Sequence, residues 1–342
     1  MDKMKVDSHK LMLHPERVLK WRQGEQIYPI YVEISPTSVC NYSCSFCAFD
    51  FFTRGTRLDF MDLKQVIIEM GKLGVKSIMF AGEGEPLIHK EFMAMAFHTK
   101  AQGIDVAVTT NGSLLTQEMA YEILPVMSWI KVSLNSILPS TFTKMSGIVD
   151  RGAGRAMLGT VIKNICQTVD IRDSMKHSCD IGVQMILTED NVGDIEPTII
   201  AARELGVDYF VIKQYSQHPS SVGITKSPPI YINYEGWSTD TFKVIQRDPL
   251  MNKNYDQCYA MPFWSYLSSN GDMYGCSGHI PDSHFVLGSI YKNTLAEMWA
   301  KDNYATLIKN IDVSKCRPGC RMDHCNRYLN ELVNPGKHVN FI

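Results

Sequence analysis

Short, nearly continuous apolar runs recur along the first two thirds of the chain, at intervals of roughly 25–35 residues. Several are rich in β-branched and aromatic residues, which is typical of strands buried on both faces of a sheet. The pattern predicts six strands, over residues 27–36, 75–82, 104–112, 129–136, 178–188 and 207–215.

Amphipathic patterns with a helical period lie between these runs. In residues 62–74 the apolar positions 63, 66, 67 and 70 fall on one helix face, and a glycine ends the pattern. Six βα units in succession predict an α/β fold with a parallel sheet, either open or curled into a partial barrel. The remaining predicted helices cover residues 90–103, 117–127, 157–169 and 195–206.

A change of composition separates this repeating part from a smaller C-terminal unit. Residues 216–236 are rich in Pro, Ser and Gly and show no clear period, which indicates a linker. Residues 264–278 then predict a hairpin that turns at Asn270–Gly271, followed by helices. We expect four parts: an N-terminal extension over 1–26, the barrel over 27–216, a linker over 217–257, and the C-terminal unit with its tail over 258–342.

Net charge and hydropathy narrow the class of protein. The formal net charge of −2 indicates no general attraction to nucleic acid or to anionic membranes. No apolar run approaches the roughly 20 residues that span a bilayer, and residues 1–21 lack the apolar stretch of a secretory signal. We therefore expect a soluble cytoplasmic protein without a nucleic-acid or membrane partner.

Ten cysteines are many for such a protein, and in a reducing compartment clustered cysteines indicate metal ligands or catalysts before disulfides. Cys166 and Cys179 stand alone in apolar or helical surroundings, where buried inert thiols are expected. The others form two groups: Cys40, Cys44 and Cys47 after the first strand, and Cys258, Cys276, Cys316, Cys320 and Cys325 in the C-terminal unit.

The first group has one thiol fewer than a closed zinc site or a fully ligated [4Fe–4S] cluster requires. Three thiolates could hold three irons of a cubane and leave the fourth iron open to a small molecule. Zinc, or a structural cluster completed by a distant cysteine, is the alternative. Phe46, just before the third cysteine, would shield a cluster or simply pack.

Polar and glycine-rich stretches end the later strands, and ligands of parallel sheets bind at the carboxyl ends of the strands. We therefore expect these residues to meet the first cysteine group at one edge of the sheet. They are Gly82–Pro86 after the second strand, residues 109–112 at the end of the third, Ser133 and Asn135 in the fourth, Gln184 in the fifth, and Lys213 and Tyr215 in the sixth.

The motif C-x3-C-x2-C, with an aromatic residue before its last cysteine, resembles the hallmark of the radical S-adenosylmethionine (SAM) superfamily. FAGEGEPLIHKEF (80–92) looks like the glycine-rich segment of that family, although Glu83 stands where many members have glycine, and VTTNGSLLT and VSLNS resemble its third and fourth strand ends. The resemblance covers about residues 28–216. It implies a partial (β/α)6 TIM-like barrel and a [4Fe–4S] cluster whose open iron is chelated by SAM. Reductive cleavage of SAM would give a 5′-deoxyadenosyl radical that abstracts hydrogen from the substrate.

The same resemblance implies contacts for SAM and the cluster. A glycine-rich strand end lets the backbone approach a ligand closely, and Glu85 could accept a hydrogen bond from the SAM ammonium or only hold the loop. Ser133 and Asn135 could bind ribose or carboxylate, or only the backbone. The predicted contacts are Phe46, Gly82, Glu83, Gly84, Glu85, Thr110, Asn111, Ser133, Asn135 and Gln184.

The spacing Cys258-x12-Gly271-x4-Cys276 looks like the start of the SPASM/Twitch auxiliary-cluster domain of this family. Full SPASM domains carry seven cysteines and this region has five, which favours the shorter Twitch-like form with one auxiliary [4Fe–4S] cluster. Its role in electron transfer, substrate binding or structure stays open, and a zinc site would fit the thiolate count equally well. The predicted ligands are Cys258, Cys276, Cys316 and Cys320, with Cys325 as the spare or substitute.

The substrate is expected in the barrel mouth between the two clusters. The favoured function is an oxidoreductase that dehydrogenates, epimerises, dehydrates or decarboxylates a small molecule such as a sugar or aminocyclitol. An external one-electron reductant such as flavodoxin or ferredoxin would supply electrons. A peptide-modifying radical SAM enzyme and a non-catalytic iron–sulfur electron carrier are the alternatives. Candidate lining residues are Asp50, Arg54, Lys213, Tyr215, His218 and His279; catalytic candidates are Lys213, Tyr215 and, as a hydrogen donor, Cys325.

Overall fold

The computed structural model describes residues 9–223, 225–226, 235–247 and 253–341. Its first six strands are parallel neighbours in chain order, with helices in the connections between them. The predicted α/β partial barrel is therefore confirmed. The strands are β1 (Tyr31–Ile34), β2 (Ser77–Phe80), β3 (Asp105–Thr110), β4 (Met127–Ser133), β5 (Asp180–Leu187) and β6 (Tyr209–Gln214).

Helices pack on the outside of this sheet. The second helix begins after Asp59, whose carboxylate accepts hydrogen bonds from the backbone of Met61 (2.7 Å) and Asp62 (3.2 Å) and so caps the helix. The barrel helices are α1 (Pro15–Arg22), α2 (Phe60–Lys72), α3 (Phe92–Ala101), α4 (Gln117–Ile123), α5 (Pro139–Met145), α6 (Arg151–Met175) and α7 (Ile195–Glu204). All five predicted helices are present; α1 and α5 are additional.

Helix α6 begins earlier than its hydrophobic pattern predicts. Asp150 caps it by accepting a hydrogen bond from the backbone of Ala153 (2.6 Å). Arg151 is therefore the first residue of the helix, six residues before the predicted start, and is exposed. Cys166 is also exposed on α6, whereas Cys179 is buried before β5, so the expectation of a buried thiol is wrong for Cys166.

The C-terminal unit is continuous with the barrel sheet. Its strands are β8 (Trp264–Leu267), β9 (Asp272–Tyr274) and β10 (Val286–Ser289), and β8 pairs in parallel with β1. The result is one ten-stranded sheet in the order β10-β9-β8-β1-β2-β3-β4-β5-β6-β7. The hairpin turn is centred on Ser269 and Asn270 rather than on Asn270–Gly271, because the Gly271 amide bonds the Ser268 carbonyl (2.9 Å).

Three helices complete this unit: α8 (Leu295–Met298), α9 (Lys301–Asn310) and α10 (Asp323–Val333). The region expected as a linker contains a strand, β7 (Lys243–Arg247), which extends the sheet beyond β6. Parts of the expected extension, linker and tail, at residues 1–8, 224, 227–234, 248–252 and 342, lie outside the described residues. No helix in the described ranges is long and apolar enough to cross a membrane.

The two faces of the sheet carry different residues because side chains alternate along each strand. The outer face forms the main core with the helices and includes Val32, Ile78, Val106 and Ile130. The inner face has a small apolar cluster of Met79, Ala81 and Ala107, against which Tyr31 and Trp129 pack. The alternating positions Glu33 on β1, Lys131 on β4 and Lys213 on β6 place charged residues on this inner face.

Candidate active site

A cavity of about 240 Å³ opens at the carboxyl edge of the sheet. It brings the first cysteine group together with the ends of β2 to β6, as the strand-end pattern predicts. The lining includes Cys40, Cys44, Phe46, Cys47, Gly82, Gly84, Glu85, Thr110, Asn111, Ser133, Asn135, Ile186, Lys213, Tyr215 and Arg317.

The loop that carries the three cysteines is held by polar contacts at several points. Asn41 donates to the Ser113 hydroxyl (2.8 Å) and accepts from the Asn111 amide (2.7 Å), which ties the loop to the end of β3. Arg54 donates to the carbonyl oxygens of Tyr42 (3.0 Å) and Cys40 (3.3 Å). Arg54 therefore holds the cysteine loop and does not line the cavity.

Burial raises the pKa of all three thiols, and that of Cys44 to about 12. Thiols in such a setting ionise when a metal binds them, because the metal replaces the proton. Three soft thiol donors on one short loop fit a cubane cluster that has one iron free of protein ligands. No group of three or more His, Cys, Asp or Glu in the described ranges forms a site for a single metal ion.

Glu85 forms part of the cavity wall and organises it. Its buried carboxylate accepts hydrogen bonds from the Thr110 hydroxyl (2.7 Å), the Asn111 backbone (2.7 Å) and the Leu87 backbone (3.1 Å). Burial raises its pKa to about 6 in spite of these donors. Glu85 thus fixes the ends of β2 and β3 relative to each other and leaves lone pairs available to a ligand.

The glycines of this segment are required by packing. A Cβ atom on Gly84 would lie 2.3 Å from the Val39 carbonyl oxygen, and one on Gly82 would lie 2.4 Å from the Tyr266 hydroxyl. The side-chain space at both positions is taken by protein atoms. The glycines therefore let the cysteine loop and the hairpin pack close to β2, in addition to any approach to a ligand.

Two predicted cofactor contacts are not part of the cavity wall. Glu83 is buried and accepts hydrogen bonds from the Tyr266 hydroxyl (3.1 Å) and from the backbone amide (3.1 Å) and hydroxyl of Ser269. Its carboxylate faces the hairpin because Gly82 and Gly84 direct the chain around it, and burial raises its pKa. Gln184 lies two residues before Ile186, the β5 residue that reaches the cavity, and so sits deeper on the same face.

Ser133 and Asn135 do line the cavity, at the end of β4. The side-chain oxygen of Asn135 accepts a hydrogen bond from the Ile186 backbone (2.9 Å) and so links the end of β4 to the end of β5. The Ser133 hydroxyl makes no hydrogen bond within the described residues, which leaves it available to a ligand. Phe46 is buried beside the cysteines and closes this part of the wall.

The second cysteine group lies on the hairpin and on the segment that precedes α10. Cys316 and Cys320 flank a turn in which Gly319 adopts a left-handed conformation (φ +67°). Burial and then the nearby Cys320 thiolate raise the pKa of Cys258, to about 12, and of Cys276 and Cys316. Cys320 therefore lies within electrostatic range of the three other predicted ligands, and it lines one small cavity together with Cys276 and Cys316.

Cys325 sits differently, in the first turn of α10. Burial raises its pKa to about 12, and Cys320 is the one neighbouring thiol that contributes to this shift. Cys320 rather than Cys325 stays our prediction for the fourth ligand. Cys325 is not part of the cavity wall, which separates it from the position that a hydrogen donor needs.

Of the remaining candidates, Lys213 and Tyr215 line the cavity and the others serve the structure. Asp50 accepts from the backbone of Val222 (3.0 Å) and Gly223 (2.6 Å). His218 is buried, bonds the Ser277 carbonyl (3.1 Å) and stacks on Phe51, and His279 stacks on Phe285. The polar side chains of Asp50, His218 and His279 are thus engaged within the protein. The sequence alone does not distinguish such contacts from contacts to a substrate.

Four charged residues near the inner face were not predicted from the sequence: Glu33 and Lys131 on the strands, and Arg317 and Arg321 on the segment before α10. Arg321 forms an ion pair with Glu33, and its guanidinium lies 5.5 Å from the Trp264 ring centre. Arg317 lines both the main cavity and a smaller one beside Cys276, Cys316 and Cys320. Arg317 could have been identified from the sequence, because it directly follows the predicted ligand Cys316.

The fold and the two thiol groups define an iron–sulfur enzyme built on a partial parallel barrel. The family model of the radical SAM superfamily matches residues 34–159, and that of the SPASM iron–sulfur cluster-binding domain matches residues 258–326. The chain belongs to the radical SAM superfamily and carries a C-terminal SPASM domain. Its cofactors are accordingly a [4Fe–4S] cluster, SAM and an auxiliary iron–sulfur cluster.

Curated relatives match part of the chain. The tungsten-containing aldehyde ferredoxin oxidoreductase cofactor-modifying protein of Pyrococcus furiosus is 27% identical over 186 residues, 54% of this chain and 50% of that protein. GTP 3′,8-cyclase of Chlorobaculum tepidum is 34% identical over 119 residues, 34% of this chain and 36% of the cyclase. The chain thus spans half or less of the length of these two relatives.

Solved structures share the fold over most of the chain. Streptococcus suis SuiB bound to S-adenosylmethionine superposes with a TM-score of 0.68 at 16% identity, covering 95% of this chain and 79% of SuiB. Native anSMEcpe with bound AdoMet superposes with a TM-score of 0.60 at 14% identity, covering 82% and 83%. At these identities the likeness concerns the fold alone.

Proposed function

We propose that this enzyme cleaves SAM reductively and removes a hydrogen atom from a small-molecule substrate. The observation that carries the proposal is the single cavity that contains the three thiols of the first group, the ends of β2 to β6 and Arg317. Cys40, Cys44 and Cys47 would hold the cluster, while Glu85, Asn111 and Ser133 present polar groups to SAM. When bound, cluster and SAM supply a 5′-deoxyadenosyl radical that abstracts hydrogen.

The protein contributes positioning. Glu85 holds the ends of β2 and β3 together, and the cysteine loop is tied to β3 through Asn41 and Asn111. A rigid wall of this kind keeps the reacting groups in contact distance and so lowers the entropic part of the barrier. The substrate would occupy the side of the cavity formed by Lys213, Tyr215 and Arg317, opposite the β2 and β3 ends.

A net oxidation is our proposal for the reaction class. Arg317 lines both the main cavity and the smaller one beside Cys276, Cys316 and Cys320, so the auxiliary site is adjacent to the proposed substrate position. This proximity supports transfer of an electron from the substrate to the auxiliary site. An external one-electron reductant, of the flavodoxin or ferredoxin type, is the proposed source of the electron for SAM cleavage.

A sugar-containing small molecule or an aminocyclitol is the favoured substrate class. Lys213, Tyr215 and Arg317 give the proposed substrate side of the cavity a polar and charged lining, which supports a small polar metabolite. Relatives named GTP 3′,8-cyclase and S-adenosylmethionine-dependent nucleotide dehydratase act, by their names, on nucleotides. Sugar-bearing nucleotides therefore belong among the compounds to test, beside free sugars and aminocyclitols.

The test is release of 5′-deoxyadenosine and methionine from SAM by the anaerobically reconstituted protein with dithionite. We expect cleavage by the wild type and none by a variant with Ala at Cys40, Cys44 and Cys47. That variant should lose about half of the iron and keep the absorbance of the auxiliary cluster. Cleavage that persists in the variant would refute the assignment of these cysteines, and a wild type that never cleaves SAM would favour the electron-carrier alternative.

A further inference from the structure

Five basic residues surround the inner wall of the barrel near Lys213. Lys131 and Lys213 extend from β4 and β6, Arg247 ends β7, and Arg317 and Arg321 come from the segment before α10. We call this set the cationic wall. The charges of the other four all act on Lys213: after burial, they are the causes that hold the pKa of Lys213 well below its ordinary value.

Several of these basic side chains lie next to other groups of the protein. Arg321 pairs with Glu33 and donates to the Tyr31 hydroxyl (3.1 Å). Lys131 lies 5.3 Å from the Trp129 ring centre, which provides a cation–π contact. Arg317 lies beside the second cysteine group, because it lines a small cavity together with Cys276, Cys316 and Cys320.

The Lys213 ammonium differs from these groups, because it forms no hydrogen bond or ion pair with the described residues. A half-buried ammonium beside four other cations is unfavourable unless an anion compensates it. A perturbed, uncompensated cation in a cavity is a typical feature of a ligand-binding position.

Lys213 and Arg317 line the same cavity, on the side away from the ends of β2 and β3. We propose that these two residues bind an anionic group of the substrate, a carboxylate or a phosphate. The pairing suits such a group, because an ammonium acts as a point charge while a guanidinium donates two parallel hydrogen bonds. This inference rests on the proposed function, since it assigns the substrate to this side of the cavity.

The test uses the holoenzyme with both clusters reconstituted and SAM present. Titration calorimetry measures binding of inorganic phosphate, pyrophosphate and succinate to the wild type and to Lys213→Met, Lys213→Arg and Lys163→Met. Lys163 is exposed on α6 and serves as the control for loss of one positive charge. We expect at least one anion to bind the wild type, roughly 30-fold weaker binding by Lys213→Met, and near-normal binding by Lys213→Arg and Lys163→Met.

A second experiment tests whether Lys213 binds the substrate or SAM, because the carboxylate of SAM is another anion that Lys213 could bind. Equilibrium dialysis of SAM should give the same affinity for the wild type and Lys213→Met, with unchanged iron content. A matching loss of SAM affinity would assign Lys213 to SAM and overturn the proposal, as would equal anion binding by the wild type and Lys213→Met, or no anion binding by the wild type. Because these readouts are binding constants, they are independent of whether the wild type releases 5′-deoxyadenosine, which tests the proposed function.

Discussion

The carboxylate of Glu83 is buried between the end of β2 and the turn of the C-terminal hairpin. The Tyr266 hydroxyl and the amide and hydroxyl of Ser269 all donate to it. A buried carboxylate costs several kcal/mol unless donors of this kind satisfy it. The residue that departs from the glycine-rich pattern therefore serves the junction between barrel and hairpin rather than the cofactor.

We expect Tyr266→Phe to lower the free energy of unfolding by about 1–3 kcal/mol, because it leaves a buried carboxylate with one donor fewer. The cluster of the first cysteine group should still load, since Tyr266 does not line the cavity that these cysteines share. Thermal or urea unfolding of the reconstituted protein measures the effect. Tyr121→Phe, at an exposed position on α4, is the control and should unfold like the wild type; equal stability of all three proteins would contradict the role of Glu83.

The two candidate thiols of the C-terminal site give a second prediction. Cys320 is close to Cys258, Cys276 and Cys316, whereas Cys325 is close to Cys320 alone. Cys320→Ser should therefore lose the auxiliary cluster, and Cys325→Ser should retain nearly all of its iron. Iron analysis of the two variants measures this. If Cys325→Ser is the variant that loses iron, Cys325 is the ligand and Cys320 becomes the spare thiol.

Among the elements, helix α5 and the cysteine loop depend on each other. The backbone amides of Ser43 and Ser45 bond the carbonyls of Ser146 (3.1 Å) and Met145 (3.1 Å), at the C-terminal end of the helix. Gly147 closes this contact in a left-handed conformation, and a Cβ atom there would lie 2.0 Å from the Ser43 carbonyl oxygen. The loop can approach the helix closely only because this position is glycine.

Gly147→Ala should therefore displace the cysteine loop and lower the iron content of the N-terminal site, with the auxiliary cluster retained. The left-handed backbone adds a strain of about 1–2 kcal/mol for alanine. The control is Gly159→Ala within α6, where a Cβ atom meets nothing within 4 Å and alanine favours the helix by about 1 kcal/mol. Iron content and SAM binding measure the outcome, and normal loading of Gly147→Ala would show that the loop does not need this contact.

The six barrel strands could be predicted because each forms its own apolar run in the sequence. The first cysteine group and the polar strand ends could be predicted as parts of the site because their motifs are short and local. Strand β7 (Lys243–Arg247) was missed because KVIQR has no apolar run, and its pairing with β6 is not encoded locally. The role of Glu83 depends on Tyr266 and Ser269, 183 and 186 residues away in the chain. Sequence spacing cannot reveal contacts of this range, and the cationic wall was missed for the same reason.

At the scale of the whole molecule, the barrel and the C-terminal unit form one continuous sheet. Buried carboxylates of the barrel also bond to residues of the C-terminal unit. Strand β8 covers the edge of β1 in parallel pairing from Tyr31↔Trp264 to Ile34↔Leu267. Two buried carboxylates of the barrel, Glu33 and Glu83, have their partners in the C-terminal unit, in Arg321 and in the hairpin. The backbone amide of Leu295 also bonds the Glu69 carboxylate of α2 (2.6 Å).

These contacts predict that the barrel does not fold stably without the C-terminal unit, although the sequence pattern suggests two separable parts. A chain that stops after residue 257 would remove the partners of Glu33 and Glu83 and would uncover the barrel surface that packs against β8 and the hairpin. It would also expose the edge of β1, which favours aggregation. Since a domain is stable by about 5–15 kcal/mol in total, we expect little soluble monomer in size-exclusion chromatography and no SAM binding. A chain that stops after Val333 lacks residues 334–342, of which 334–341 are exposed, and it should remain monomeric with both clusters. A soluble 1–257 chain that binds one cluster and SAM would show instead that the barrel is an independent folding unit.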